Sequence, residues 1–154
     1  MAGVTARDRR SRLLSALLLA SVGGMVVGVP AAADPVTTHE LNEAFPLGGG
    51  QVSTIRGEPL RLHFVSVLED SRCPPTLLCY WPGQARIAVD AQVGDAPPAS
   101  IVLDTRPGPD PGGQPVSVGP FTIQLQDLDP SPRTEHEDIP TDEYAAKIIV
   151  WRTG

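Results

Sequence analysis

Between Ala85 and Val93, apolar Ala85, Ile87, Val89, Ala91 and Val93 alternate with Arg86, Ala88, Asp90 and Gln92. A period of two predicts a strand with one buried face, because successive strand side chains point to opposite sides. Phe121, Ile123 and Leu125 alternate with Thr122, Gln124 and Gln126, and Ala146, Ile148 and Val150 oppose Lys147, Ile149 and Trp151. Between Leu60 and Leu68, the same rule puts Leu60, Leu62, Phe64 and Leu68 on one face. Shorter runs at Phe45–Leu47, Gln51–Arg56, Ser100–Leu103 and Val116–Val118 bring the expectation to seven or eight short strands. That pattern predicts an all-β fold, a single antiparallel β-sandwich or a small barrel. No segment carries a helical apolar stripe. The best helical stretch is a brief turn after Pro140, with Thr141 as its cap and Asp142 and Glu143 at its N-terminus.

Most of the 17 prolines and 15 glycines fall between these runs, which punctuates short strands and opposes helices. Arg106–Pro115 is dominated by proline and glycine and predicts an irregular exposed loop. Asp129–Glu143 is acidic and contains proline, and predicts a long surface connection before the last strand. There is no internal repeat.

The first 33 residues follow a different logic. Arg7, Arg9, Arg10 and Arg12 precede an apolar stretch from Leu13 to Val29, and Pro30 leads into Ala31-Ala32-Ala33. Basic head, apolar middle and small-residue cleavage site define a secretory signal peptide, with cleavage expected after Ala33. A retained membrane anchor is the alternative, since the apolar stretch is near the lower length for a span. Arg9-Arg10 also fits a twin-arginine signal, although Arg12 stands where such signals favour an apolar residue. No cysteine lies near the cleavage site, so the product is expected to be released without a lipid anchor. Residues 34–43 are expected to be a flexible lead-in to a domain spanning 44–154.

Cleavage changes the charge. The intact chain has 12 basic and 18 acidic residues, and the signal takes four of the former and one of the latter, leaving a net of about −9. An acidic domain argues against nucleic acid and anionic membrane as partners, because both demand basic patches. The expected state is a soluble monomer outside the cytoplasm, with no cofactor and with an unknown protein or small ligand as partner.

The densest local signal is Asp70-Ser71-Arg72-Cys73-Pro74-Pro75-Thr76-Leu77-Leu78-Cys79-Tyr80-Trp81-Pro82-Gly83, set between the two best strands. Two cysteines in an exported chain most simply form one disulfide, Cys73–Cys79. A loop this short would add roughly 2–3 kcal/mol by restricting the unfolded chain. Redox and metal roles fit less well: five residues separate the cysteines where thioredoxin-like sites have two, and no third cysteine exists. Trp81 is expected to pack on the disulfide as a core or rim aromatic, and Gly83 to permit a tight turn. Asp70 and Arg72 have two readings. In one, Asp70 accepts turn amides and Arg72 pairs with a nearby acid; in the other, both join Trp81 in an exposed recognition corner.

With Cys79, Trp81 and Gly83 following Asp70-Ser71-Arg72-Cys73-Pro74, the passage resembles a family of small exported bacterial β-domains, described only as hypothetical secreted proteins or lipoproteins. The likeness runs from about Phe45 to Val150, including Leu125-Gln126-Asp127-Leu128-Asp129-Pro130 and Tyr144 before a final strand. The chain departs from lipoprotein members in lacking a lipid-attachment cysteine, and has Pro82 where small residues are common. The resemblance implies a bacterial exported β-domain and no particular activity.

Catalytic chemistry finds little footing. There is no G-x-S-x-G element, and His39, His63 and His136 are far apart in sequence. His39 falls in the lead-in and His63 on the polar side of its strand. Gly48-Gly49-Gly50 lacks the helix and lysine of a phosphate loop. Paired carboxylates for glycoside hydrolysis depend on spatial separation, and few aromatics are present to line a sugar cleft. Glu135-His136-Glu137-Asp138, near Asp127, Asp129, Asp142 and Glu143, has metal-ligand chemistry but matches no calcium loop. The leading expectation is a non-enzymatic binding module using the disulfide corner. The alternative is a metal-binding exported protein using the acidic, histidine-containing loop.

Overall fold

A computed structural model describes residues 35–106, 112–135 and 137–154. The expected signal peptide and cleavage site, His136 and the centre of the Arg106–Pro115 loop therefore lie outside the described residues. Among those described, no helix is long and apolar enough to cross a membrane.

The described residues form nine strands: β1 (Thr37–His39), β2 (Ala44–Gly48), β3 (Val52–Ile55), β4 (Leu60–Asp70), β5 (Ala85–Val93), β6 (Ala99–Asp104), β7 (Val116–Val118), β8 (Phe121–Asp129) and β9 (Ala145–Arg152). They form one sheet in the order β1-β3-β4-β5-β6 and another in the order β2-β9-β8-β7. All pairings are antiparallel except β1 on β3. The architecture is a two-sheet sandwich, not a closed barrel. The strand beyond the expected eight is β1, inside the stretch read as a flexible lead-in. Thr37 and Ser53 hydroxyls meet at 2.7 Å across that pairing. His39, read as part of the same lead-in, stacks on Phe45 with ring centroids 4.2 Å apart.

The core is the alternating apolar set. Leu60, Leu62, Phe64, Ile87 and Val89 from one sheet face Leu47, Ile123, Leu125, Ile148 and Val150 from the other, all fully buried. Removing these faces from water is the main force joining the sheets.

Strict alternation breaks in β4. Its pairing with β5 runs Phe64↔Val89, Ser66↔Ala88, Val67↔Ile87, Glu69↔Arg86 and Asp70↔Ala85, with register shifts on either side of the Ser66–Val67 pair. Two bulges leave Val65 and Leu68 without a partner and exposed. Leu68, expected in the core, is therefore outside it, and Val67 takes the inward position. The exchange turns Ser66 outward opposite Ala88, and the second bulge returns Asp70 to the inner side opposite buried Ala85.

The expected turn after Pro140 is a 3-10 turn at Thr141–Glu143. Pro140, not Thr141, occupies the cap position, and no side chain caps the turn. Strand β8 also differs from expectation, since Thr122 and Gln124 are buried although they alternate with the core face. Gln124 Nε2 donates to the Gly113 carbonyl at 2.8 Å, and Gly113 N–H donates to the Leu125 carbonyl at 2.8 Å. The returning loop thus covers this face. Only glycine fits there, because a Cβ on Gly113 would sit 1.4 Å from the Asp104 carbonyl oxygen.

Candidate functional site

Strand β4 runs on past its partner into the cysteine loop. Ser71 N–H donates to the Gln84 carbonyl at 2.8 Å and Cys73 N–H to the Pro82 carbonyl at 2.9 Å, so the base is a narrow ladder. Gly83 sits at φ 68°, and a Cβ there would come within 1.7 Å of the Ser71 carbonyl oxygen, as the expected tight turn requires. The Cys73–Cys79 disulfide closes the tip.

Asp70 and Arg72 root this loop in the sandwich. Arg72 Nε donates to Asp70 Oδ1 at 2.8 Å, and its Nη2 to Oδ2 at 2.7 Å. The guanidinium also donates through Nη1 to the Leu128 carbonyl and through Nη2 to the Pro130 carbonyl at 2.7 Å, at the end of β8. Tyr144, just before β9, donates its hydroxyl to Asp70 Oδ2 at 2.9 Å. The two charged side chains are only 6% and 13% exposed, so their charges meet each other and the opposite sheet before they meet solvent. Burial disfavours the Arg72 charge, but the hydrogen bonds and charge of Asp70 outweigh it and raise the guanidinium pKa above its ordinary value.

Burial first, and then the hydrogen bond to Asp70 and its charge, push the Tyr144 phenol up to about 12. A folded pKa above the unfolded value means that this stabilisation is complete below pH ~10 and is lost as pH rises towards 12. The wild type is accordingly expected to lose about 2 kcal/mol between those limits that Tyr144→Phe does not lose. Urea unfolding across the alkaline range checks this, and parallel curves for the two proteins would refute it.

Above this footing the surface changes character. Leu77, Leu78, Tyr80 and Trp81 are exposed together, Leu78 fully, Tyr80 at 89% and Trp81 at 74%. Trp81 was expected to pack against the disulfide. Instead its ring meets Tyr80 edge-on, 4.9 Å between centroids and 89° between planes. The tight disulfide loop leaves no core for the indole to enter. Between the loop and the segment carrying Pro132 and Glu135 lies a hollow of about 410 Å³. Asp70, Arg72 and Trp81, the binding candidates, all line it, with the first two in its floor and the indole on its wall.

The acidic loop is built otherwise. Glu137 accepts from Arg133 Nε at 3.0 Å and Nη2 at 2.7 Å, an exposed local ion pair that occupies its carboxylate. Asp138 lies across two shallow hollows with Glu137, and Glu135 faces the disulfide hollow. Among the described residues no three His, Cys, Asp or Glu side chains come together as metal ligands. His63 lies on the outer face of β4 opposite Asp90.

Comparison with protein-family models, curated proteins and solved structures returns no match. Leu78, Tyr80, Pro132 and Tyr144 were not singled out as site residues from sequence, and Glu135 was a candidate only as a metal ligand of the acidic loop. The available signal was the absence of any charge from Cys73 to Gly83, an unusual run for an exposed loop.

Proposed function

We propose that this chain is exported, loses its first 33 residues and works outside the cytoplasm as a non-enzymatic recognition module, in the manner of the small exported bacterial domains its cysteine motif resembles. The disulfide suits an oxidising compartment. The observation that carries the recognition reading is the exposure of Leu78, Tyr80 and Trp81 on a covalently closed loop rooted by a buried ion pair. Apolar and aromatic side chains cost free energy in water, and a preformed loop loses little conformational entropy when a partner covers it. Tyrosine and tryptophan are also the residues that most often dominate binding energy.

In-culture cross-linking tests the reading, comparing wild type with the Leu78→Ser/Tyr80→Ser/Trp81→Ser variant. The variant alters only exposed side chains and is expected to keep the wild-type circular dichroism spectrum while losing its cross-linked species. An unchanged set of cross-linked species would overturn the proposal. Intact-mass measurement is expected to place the N-terminus of the exported protein at Asp34.

A further inference from the structure

We infer that the hollow beside the disulfide loop binds an alkylated organic cation, a quaternary or tertiary ammonium group, held against Tyr80 and Trp81 with Glu135 as counter-charge. The inference rests on reading this corner as a recognition surface and names what that surface takes. About 410 Å³ lies within the range of small-molecule sites. Leu78, Tyr80, Trp81 and Pro132 supply apolar walls.

Charge selects among ligands. The side chains lining the hollow that are charged at neutral pH are Asp70, Arg72 and Glu135; the Tyr80 phenol is neutral there. The first two neutralise each other through paired hydrogen bonds. Glu135 is exposed and makes no ion pair with another described residue, so the hollow carries one uncompensated negative charge. The chain as a whole is also negative, with a net charge of −6. Anions are repelled and cations drawn in.

Hydrogen-bonding capacity selects further. The Ser71 hydroxyl already engages Glu69 and the Gln84 carbonyl, the Arg72 guanidinium is engaged at all three nitrogens, and the Cys73 amide is held by Pro82. A sugar entering here would find the Tyr80 hydroxyl, the Trp81 indole N–H and the Glu135 carboxylate, too few partners for its full ring of hydroxyls, and the rest would be desolvated at a cost. An alkylated ammonium makes no such demand. Its methyl groups fill apolar space, and its charge is attracted by the negative faces of aromatic rings. Edge-to-face packing sets the Tyr80 and Trp81 planes at 89°, two walls at a right angle, and their exposure leaves ring surface open.

The test uses the disulfide-bonded exported protein and follows the Trp81 indole N–H resonance, assigned by comparison with Trp151→Phe. Choline chloride and tetramethylammonium chloride are titrated against 3,3-dimethyl-1-butanol, the neutral carbon analogue of choline, at constant ionic strength. Saturable shifts with both cations are expected, with the neutral analogue about tenfold weaker. Glu135→Gln is expected to weaken choline several-fold, and Trp81→Leu, read through Tyr80 ring signals, to abolish binding. Phosphocholine and phosphatidylcholine vesicles in parallel arms separate a free cation from a headgroup source.

Equal binding of the neutral analogue would overturn the cation assignment while leaving an apolar recognition site. Absence of any saturable shift would overturn it as well. Neither result touches the cross-linking outcome, which judges the recognition reading separately.

Discussion

Asp70→Ala is expected to destabilise the fold by about 3–5 kcal/mol, among the largest effects of any single substitution outside the apolar core. The carboxylate accepts twice from the Arg72 guanidinium, once from the Arg72 backbone N–H at 3.3 Å and once from Tyr144, and its side chain is 6% exposed. Removing it leaves a guanidinium that is 13% exposed without its counter-charge, together with an unpaired phenol. The penalty is desolvation without compensation, and it exceeds what the intact pair contributes relative to apolar residues. The double variant Asp70→Leu/Arg72→Leu is therefore expected to be less damaged than Asp70→Ala, despite losing more polar contacts. Urea midpoints and slopes of the two variants decide it. A loss below about 1 kcal/mol for Asp70→Ala would show that water replaces the carboxylate and that the pair does not root the loop.

Phe64→Ala is expected to remove about 3–5 kcal/mol, whereas Leu68→Ala stays within about 0.5 kcal/mol. Alternation alone gives these residues the same face of the same strand. The register shifts separate them: Phe64 is fully buried and Leu68 is 51% exposed. Thermal or urea unfolding of both variants makes the comparison. Comparable losses at the two positions would place Leu68 in the core and contradict the bulges.

These two cases show what the pattern of residues reveals and where it fails. In β5 and β9 the alternation of Ala85–Val93 and Ala146–Trp151 matches the burial at every position but Val93, because the inserted residues of the bulges fall in the partner strands β4 and β8 and leave the parity of β5 and β9 intact. In β4 the parity changes twice, and each change depends on what β5 places opposite. The polar side of β8 was equally ambiguous. Thr122 and Gln124 look like surface residues, yet the chain around Gly113 returns over Gln124, and the Thr122 hydroxyl meets those of Ser117 and Thr153. The lead-in acquires a strand through β3, a partner 16 residues further on. Three residues with little hydrophobic character carry no local sign of that.

The candidate site divides along the same line. That Cys73 and Cys79 would pair was legible, since two cysteines with short spacing leave a single partner choice. That Asp70 and Arg72 form its footing was one of two open readings. What settles their geometry is the arrival of Leu128, Pro130 and Tyr144, between 56 and 74 residues away, as hydrogen-bond partners. No local spacing encodes that meeting, because it depends on the β8 end and the β9 start being folded against the β4 end.

The sequence by itself determined the two-sided strands, the turns between them, the disulfide and the acidic balance, all of which follow from neighbours a few positions apart. Tertiary structure alone decided that Leu68 leaves the core, that Asp70 and Arg72 are held between sheets, and that Trp81 stands in solvent beside Tyr80 and a hollow edged by Glu135. The physical reason is that burial, charge compensation and exposure belong to pairs of segments, and those pairs exist only once the two sheets have closed on each other.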